Sequence, residues 1–278
     1  MQTLRAHARQ WIKQRPQAKR LALALSRALS PLRARPRPST LARYATFLRE
    51  RARFRALGGD APLADAWPCL FDRSTTTGID AHYVPQAVWA ARRIAARRPA
   101  SHVDIGSDTL YVGMLTALTR VTFVDIRPLQ LAIPDYEGVN GSILALPFED
   151  ASVQSLSCLH VIEHIGLGRY GDPLDPYGSE KAAREIVRVL APGGHALVSI
   201  PIGRARVQFN GQRVFDPNVV LRMFDGLSLA AFSMVDASGR FVEGVDPRSA
   251  EIGEHRSGAD SGLGMFAFTR PAASTRPE

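Results

Sequence analysis

The segment from Asp104 to Ser107, together with Asp125, has the residue types and the spacing of a nucleoside-binding site. Glycine at position 106 lets the backbone approach a ligand closely, and a helix after Ser107 would offer N–H groups at its N-terminus. Asp125 follows Asp104 by 21 residues, where a carboxylate at the end of the next strand accepts hydrogen bonds from ribose hydroxyls. We therefore expect Asp104, Gly106, Ser107 and Asp125 to share one ligand site.

The same segment argues against a dinucleotide as the ligand. Dinucleotide sites carry G-x-G-x-x-G, whereas residues 106–111 contain a single glycine, and Asp108 would face an anionic pyrophosphate. S-adenosylmethionine has no phosphate and carries two cationic groups, which neighbouring carboxylates stabilise. The acidic surroundings favour S-adenosylmethionine, and a structural glycine in an ordinary strand-to-helix turn is the alternative.

A second group of titratable side chains, His160, Glu163 and His164, is compatible with two kinds of chemistry. It matches H-x-x-E-H, in which two imidazoles on one helical face bind zinc and the glutamate is a general base. An apolar strand precedes His160 and glycines follow His164 closely, so a long helix is not expected and a zinc hydrolase is the less favoured alternative. Either imidazole, oriented by Glu163, is a candidate general base, unless the pair only fixes the loop.

Candidate substrate contacts lie on both sides of these residues. Arg169, Tyr170 and Asp172 belong to a glycine-rich stretch, residues 166–178, and suit a polar substrate such as a sugar, unless Arg169 and Asp172 pair with each other. His82 and Tyr83 open the helix before the first strand, from where they would cover the donor, with core packing or capping as the alternative. Asn210 and Arg213 are weaker candidates at the same end of the sheet.

Alternating strand and helix patterns must position these side chains. Strand patterns separated by helices imply a mostly parallel sheet wound by right-handed crossovers, with the ligand beyond the carboxyl ends of its strands. The last two strands follow each other without a helix, which predicts an antiparallel pair. The expected strands cover residues 102–105, 121–126, 140–143, 153–159, 196–200, 227–235 and 264–269, and the expected helices cover residues 80–98, 110–119, 179–190 and 217–224.

The charge of the chain is divided by position. Residues 1–55 contain 15 Lys and Arg and one acidic residue, a net charge of +14, whereas the remaining residues carry a net charge of −5. Residues 1–57 therefore form a basic helical arm broken by prolines, typical of attachment to an anionic membrane surface or an acidic partner, or else a tail or cap of the domain. We expect no nucleic-acid partner. After the arm we expect a linker and cap over residues 58–79, a domain over residues 80–271 and a disordered tail over residues 272–278.

Cysteine content and hydropathy bear on the cellular compartment. Cys69 and Cys158 are too few for a disulfide framework and lack C-x-x-C spacing. No run approaches the roughly 18 apolar residues of a transmembrane helix. These features predict a cytoplasmic protein, soluble or bound to the membrane periphery.

Three downstream blocks resemble the pattern of class I methyltransferases. Residues 146–150 form an L-P-F loop before the fourth strand, an E-H dipeptide follows that strand, and residues 185–194 read EIVRVLAPGG before the fifth. The longer block SCLHVIEHIGLGRYGDPLDPYG, residues 157–178, together with HVDIGS and VDIRP, resembles the bacterial and nematode proteins grouped as domain-of-unknown-function family 268. The resemblance covers roughly residues 70–270.

The resemblance implies a Rossmann-like class I methyltransferase fold with a mostly parallel seven-stranded sheet and S-adenosylmethionine as cofactor. It implies that the donor contacts are Asp104, Ile105, Gly106, Ser107, Asp125, Ile126, Ser142, Ile143 and His160, with Ser142 and Ile143 beside adenine. Two departures stand out: the usual second and third glycines are missing, and Ser142 and Gln154 replace a common Asp. We predict O-methylation of a polar small molecule or glycan, and a catalytically degenerate ligand-binding or partner-binding protein is the alternative.

Overall fold

The computed structural model describes residues 38–63, 66, 68–73, 80–127, 129–236, 238–248 and 261–272. The chain divides into two compact units, Met1–Gly78 and Ile79–Glu278. Residues 1–37 of the predicted arm and residues 273–278 of the predicted tail lie outside the described residues. Among the described residues, no helix has the length and apolar character needed to cross a membrane.

The smaller unit contains helix α1, Pro38–Ala56. Its Arg43 donates a hydrogen bond from Nη1 to the carbonyl of Leu70 at 3.1 Å. Glu50 pairs with Arg73 at 3.0 Å. One face of α1 therefore packs on residues 70–73.

The larger unit alternates helices and strands as the sequence predicts. Its helices are α2 (Tyr83–Arg97), α3 (Thr109–Leu115), α4 (Gly178–Val189) and α5 (Pro217–Met223). Its strands are β1 (Ser101–Ile105), β2 (Arg120–Asp125), β3 (Tyr136–Asn140), β4 (Val153–Leu159), β5 (Leu190–Ile202), β6 (Arg206–Gln208), β7 (Gln212–Val214), β8 (Ser228–Val235), β9 (Phe241–Glu243) and β10 (Gly262–Thr269).

Eight strands form the main sheet, in the order β3-β2-β1-β4-β5-β10-β8-β9, and β6 and β7 form a separate hairpin. Strands β1 to β5 pair in parallel, while β10 runs antiparallel to both β5 and β8. The strand order reverses between β1 and β4, which in an open parallel sheet is where a ligand binds. The chain therefore has a Rossmann-like fold with a mixed sheet.

The sheet differs from the sequence prediction in three places. It has eight strands in a mixed arrangement and not seven, because the short edge strand β9 joins β8. The predicted antiparallel pair exists, but β10 lies between β5 and β8, so the last two long strands occur in the sheet in the reverse of their chain order. The third strand ends at Asn140, because residues 142–145 fold into a turn in which Ser142 Oγ accepts the N–H of Leu144 at 3.2 Å.

Apolar side chains cover both faces of the sheet. On one face Trp89 and Ile94 of α2 pack with Val112 of α3 against strands β2 and β10. On the other face Ala182 and Ile186 of α4 join a second cluster that includes β4, β5 and β8. Burial on both faces explains the near-continuous apolar runs of the central strands, and it leaves their carboxyl ends free for a site.

Candidate functional site

A cavity of about 580 Å³ opens at the carboxyl ends of β1, β2, β3 and β4. This volume suits a nucleoside-sized ligand. Most of the residues that the sequence predicts for the site line it: Tyr83, Ile105, Gly106, Ser107, Asp125, Ile126, Ser142, Ile143, His160, His164, Tyr170 and Asp172. The other predicted residues, Asp104, Glu163, Arg169 and His82, lie around this lining.

The donor loop, residues 104–108, turns sharply at Gly106. This glycine has a φ of +64°, in the left-handed region that favours glycine. Its N–H donates to the carbonyl of Val124 at 3.0 Å, and a Cβ there would lie 3.4 Å from Oδ2 of Asp125. The loop therefore brings bare backbone next to the Asp125 carboxylate.

Asp125 ends β2 with one carboxylate oxygen already bonded. Its Oδ1 accepts the N–H of Arg127 at 2.6 Å, while Oδ2 faces the position that a Cβ of residue 106 would occupy. The Asp125 side chain is partly exposed, at 21%. This arrangement orients the carboxylate and leaves an oxygen available to accept hydrogen bonds from ligand hydroxyls.

Asp104 differs from its predicted role as a donor contact. It is fully buried beneath the donor loop, where it accepts hydrogen bonds from Ser107 N at 3.0 Å, Ser107 Oγ at 2.8 Å and Ser157 Oγ. Burial raises the pKa of Asp104 to about 6, although the bonds from Ser157 and Ser107 oppose the increase. Asp104 therefore positions the loop.

The N-terminus of helix α3 also differs from the expectation that its N–H groups are available to a ligand. Asp108 caps α3, with its Oδ1 accepting the N–H groups of Leu110 at 3.0 Å and Tyr111 at 3.2 Å. These two donors are already satisfied, and Asp108 also lines the cavity. The loop therefore presents the carboxylate of Asp108 to a ligand and lacks the features of a phosphate cradle.

The L-P-F loop is held from α4. Glu185 Oε1 accepts the N–H of Leu146 at 2.8 Å. Arg188 donates to the carbonyls of Phe148 at 3.0 Å and Leu146 at 3.2 Å, and it also pairs with Glu185. These bonds fix residues 146–148, which follow the cavity-lining residues Ser142 and Ile143 in the chain. Sequence reasoning recognised the motif and missed this role of Glu185 and Arg188.

His160 lies directly after β4 in a left-handed conformation, with a φ of +59°. Its ring stacks on Tyr83, with centroids 5.2 Å apart, and on His82 at 5.5 Å. Its Nδ1 contacts Oε1 of Glu163. Its Nε2 is buried and has no hydrogen-bond partner among the described residues.

Glu163 lies between the two imidazoles. It is fully buried, and its Oε1 is 3.7 Å from Nε2 of His164. His164 Nδ1 is 2.7 Å from the carbonyl oxygen of Gly211, to which it donates when the ring is neutral. Burial lowers the pKa of His164, so this imidazole is neutral at pH 7.

The zinc-binding arrangement of H-x-x-E-H is not formed. Residues Ile162–His164 make a short 3₁₀ helix, and His160 precedes it in the left-handed conformation. The two imidazoles therefore do not share the face of one α-helix. Within the described ranges, no group of three or more His, Cys, Asp or Glu side chains is arranged to hold a metal ion.

Tyr170 forms the wall opposite the donor loop. The guanidinium of Arg127 lies 4.9 Å from its ring centroid and that of Arg169 lies 5.1 Å away, distances typical of cation–π contacts. The ring also meets His164 edge-on at 5.7 Å. Tyr170 therefore joins the donor side of the cavity to the histidine side.

Arg169 and Asp172 have separate partners. Arg169 donates to the carbonyl of Gly211 at 3.0 Å. Asp172 accepts the N–H of Gly166 at 2.6 Å and that of Tyr170 at 3.3 Å. Asp172 therefore closes the loop that presents Tyr170.

The β6–β7 hairpin contributes contacts that sequence reasoning found only weakly. Arg213 is buried and donates to the carbonyl of Ile165 at 2.6 Å, to Ser179 Oγ at 3.1 Å and to the carbonyl of Asp175 at 3.1 Å. It therefore fastens the hairpin to residues 165–176. Its position after the fifth strand was the only sequence signal.

Asp80 and the ring contacts orient His82 and Tyr83. Asp80 Oδ1 accepts the N–H groups of both residues at 2.9 Å, which fixes the start of α2. Burial lowers the pKa of His82 and raises that of Tyr83. Tyr83 lines the cavity, whereas His82 supports the ring of His160.

Comparisons with solved structures return chains of low identity, among them two N-methyltransferases. The YcgJ protein from Bacillus subtilis is 13% identical and matches 68% of this chain and 100% of its own, with a TM-score of 0.48. The 1,6-didemethyltoxoflavin-N1-methyltransferase of Burkholderia thailandensis is 14% identical, covering 67% of this chain and 77% of its own with a TM-score of 0.47. The N-methyltransferase NodS of Bradyrhizobium japonicum is 15% identical, covering 68% of this chain and 87% of its own with a TM-score of 0.44.

A comparison with curated proteins finds no match. A family model covers the stretch that contains the 3₁₀ helix, α4, β5 and the β6–β7 hairpin. Residues 149–247 match the family described as Caenorhabditis protein of unknown function, DUF268, which confirms the resemblance that the sequence predicts.

Proposed function

We propose that the chain is an S-adenosylmethionine-dependent methyltransferase that methylates an oxygen of a polar small molecule or glycan. The observation that carries the proposal is the pairing of the Asp125 carboxylate with the left-handed Gly106 at the carboxyl ends of β1 and β2. The hydroxyls of a ribose require a hydrogen-bond acceptor such as the Asp125 carboxylate. A cationic ligand that has no phosphate group requires no phosphate cradle. The cavity lining meets both requirements.

The residues around Asp125 would hold the donor. Asp125 Oδ2 would accept hydrogen bonds from the ribose hydroxyls, Ile126 and Ile143 would cover the adenine ring, and the carboxylate of Asp108 would offset the positive charge. When bound, S-adenosylmethionine supplies a methyl group on a sulfonium, which is an activated leaving group. The protein therefore mainly has to align the acceptor and remove its proton.

His160 is the base that the geometry favours. Its Nδ1–H is donated to Glu163, so in the neutral ring Nε2 carries the lone pair. Nε2 would take the proton of the acceptor hydroxyl as that oxygen receives the methyl group from the donor, whose sulfur would keep the electrons of the broken carbon–sulfur bond. The buried Glu163 carboxylate stabilises the imidazolium that results. His164, whose Nε2 is 3.7 Å from the same carboxylate, is the second candidate.

A degenerate protein that binds a nucleoside ligand without turnover is the other candidate function. It is favoured by the single glycine of the donor loop and by the burial of Asp104 away from the cavity. In that case the donor or its product binds, but no acceptor is methylated.

Calorimetry tests the donor binding on which both functions depend. We expect S-adenosylmethionine and S-adenosylhomocysteine to bind the full chain, and Asp125→Ala to weaken both by roughly 10- to 100-fold through lost hydrogen bonds. Asp225→Ala, which removes an exposed carboxylate from the turn after α5, is the matched control and should bind normally. Absence of binding to either ligand at millimolar concentration would overturn the proposal.

Turnover is tested with radiolabelled S-adenosylmethionine and a panel of monosaccharides, nucleotide sugars and polyols. Transfer of label to an acceptor supports the enzyme. Tight donor binding with no transfer to any acceptor in the panel favours the degenerate alternative.

A further inference from the structure

Helix α1 carries an exposed apolar stripe that the function proposed above does not use. The stripe has helical spacing, with successive members four, three, four and four residues apart, and every member is exposed. It consists of Leu41, Ala45, Leu48, Ala52 and Ala56. Leu41 is 61% exposed and Leu48 is 39% exposed, although leucines on a helix of a folded unit usually face its core.

The stripe lies opposite the face of α1 that packs within its own unit. The packed face contains Thr40, Arg43, Phe47 and Glu50, spaced three, four and three residues apart. Thr40 is buried, and Arg43 and Glu50 contact residues 70 and 73. Because the stripe is on the other side of the helix axis, the described residues of this unit do not bury it.

Arginines border the stripe on both sides. On an α-helix of 3.6 residues per turn, Arg49 and Arg53 project along one edge of the stripe and Arg55 along the other. All three are exposed. The helix contains one acidic residue, Glu50, and its carboxylate is paired with Arg73 on the packed side. The outward face of α1 is therefore apolar in the middle and cationic at its edges.

We propose that this face of α1 lies on an anionic membrane surface. A helix with an apolar stripe between arginines lies in the interfacial plane, with the leucines at the acyl boundary and the arginines at the headgroups. Residues 1–37 add ten Lys and Arg and no Asp or Glu, so the attraction to anionic headgroups does not depend on α1 alone. A nucleic acid would match the arginines but would offer no apolar partner to Leu41 and Leu48.

The proposal is tested by co-sedimentation of the full chain with two kinds of vesicle. We expect binding to vesicles that contain phosphatidylglycerol and little binding to vesicles of phosphatidylcholine alone. The charge variant R49Q/R53Q/R55Q should bind the anionic vesicles at least about tenfold more weakly, because each arginine near an anionic surface changes the affinity about fivefold. The apolar variant L41S/L48S should lose about tenfold as well.

Matched variants of the larger unit serve as controls. R120Q/R184Q/R248Q removes three exposed arginines and changes the net charge equally, and L118S/L131S replaces two exposed leucines. Both controls should bind like the unmodified chain. Far-UV circular dichroism and thermal melting establish that each variant is folded.

Three results would overturn the proposal. One is equal binding to both vesicle types, or to neither. Another is an equal loss of vesicle binding in R49Q/R53Q/R55Q and in R120Q/R184Q/R248Q, which would show that net charge alone attracts the protein to the vesicles. The third is unchanged binding of L41S/L48S, which would show a polyanion site such as one for RNA. Donor binding by calorimetry is expected to be unaffected in the α1 variants.

Discussion

At the scale of single residues, the site depends on two left-handed backbone positions, Gly106 and His160. A non-glycine residue in this region costs about 1 kcal/mol or more, although histidine tolerates it better than most. His160 N donates to the carbonyl of Ser199 at 3.0 Å, and its ring is fixed by Tyr83 and Glu163. These contacts compensate for the strain and hold the imidazole at the end of β4.

His160→Asn should lower methyl transfer by roughly 10²- to 10⁴-fold, the usual contribution of a general base. Asparagine accepts the left-handed backbone, so donor affinity by calorimetry should stay within about twofold of normal. Glu163→Gln should cause a smaller loss and shift the pH profile of kcat, because the imidazolium loses its buried counter-charge. If His164→Asn abolishes transfer and His160→Asn does not, the base is His164.

Gly106→Ala should destabilise the fold by about 1–2 kcal/mol, because alanine is strained at a positive φ even though the nearest atoms lie at 3.4 Å. Gly113→Ala in α3 is a control with the opposite sign. A Cβ at residue 113 meets nothing within 4 Å, and alanine stabilises a helix interior by about 0.5–1 kcal/mol relative to glycine. Urea denaturation measures both changes, and equal effects of the two substitutions would contradict the role given to Gly106.

At the scale of elements, a buried polar network connects β1, the donor loop and β4. Ser107 Oγ donates to Asp104 and accepts the N–H of Leu159 at 3.0 Å. Ser157 donates to Asp104 and contacts His102 Nε2 at 2.8 Å. The network holds the loop against the end of β4, so the donor side and the base side of the cavity share one support.

The network predicts a pH dependence of stability. Folding raises the pKa of Asp104 from 3.8 to about 6, so between these values the folded chain binds more protons than the unfolded chain. The unfolding free energy therefore falls by about 3 kcal/mol from this group as the pH rises through that window, and the loss is complete above it.

Asp104→Asn removes this titration. Relative to the unmodified chain, the variant should gain about 3 kcal/mol of stability between pH 4 and pH 7 in urea denaturation, because its altered hydrogen bonds are the same at both pH values. Asp225→Asn should show no comparable change. A constant difference between Asp104→Asn and the unmodified chain at the two pH values would refute the buried titration.

The sequence predicts the central strands of the sheet better than its edge strand and the turns. The apolar runs of β2, β4 and β5 mark central strands, and the order of acidic residues and histidines along the chain places them at one end of the sheet. The third strand was misplaced because β3 is an edge strand whose residues are mostly exposed, while the apolar Ile143 belongs to a turn.

Other features of the site depend on contacts between distant residues. The burial of Asp104 depends on Ser157 of β4, and the orientation of His164 depends on Gly211, which is 47 residues away. A one-dimensional pattern contains no signal for a backbone carbonyl that approaches an imidazole. Sequence order alone therefore predicts which of these residues lie close together but not the contacts that each of them makes.

At the scale of the whole molecule, the chain combines two units of opposite charge. The basic residues are concentrated before residue 56, whereas the rest of the chain is acidic overall, and the two compact units divide at Gly78. The candidate donor site is built entirely from the larger unit. A ligand of that site should stabilise only that unit.

Differential scanning calorimetry tests this independence. At a concentration of S-adenosylhomocysteine about 100-fold above its Kd, the unfolding of the larger unit should be stabilised by about 2.7 kcal/mol. The unfolding transition of the smaller unit should keep its original midpoint. A single transition that shifts as a whole would show that the two units unfold cooperatively.

The position of β10 bears on how the protein is synthesised. This strand is buried along nearly its whole length and lies between β5 and β8, so neither neighbour can complete its ladder until residues 262–269 have left the ribosome. A nascent chain that stalls earlier presents two open strand edges to other chains, which makes it prone to aggregate. Messages truncated before the codon for Gly262 should therefore yield insoluble product, and chaperones that shield strand edges should associate with this protein late in its translation.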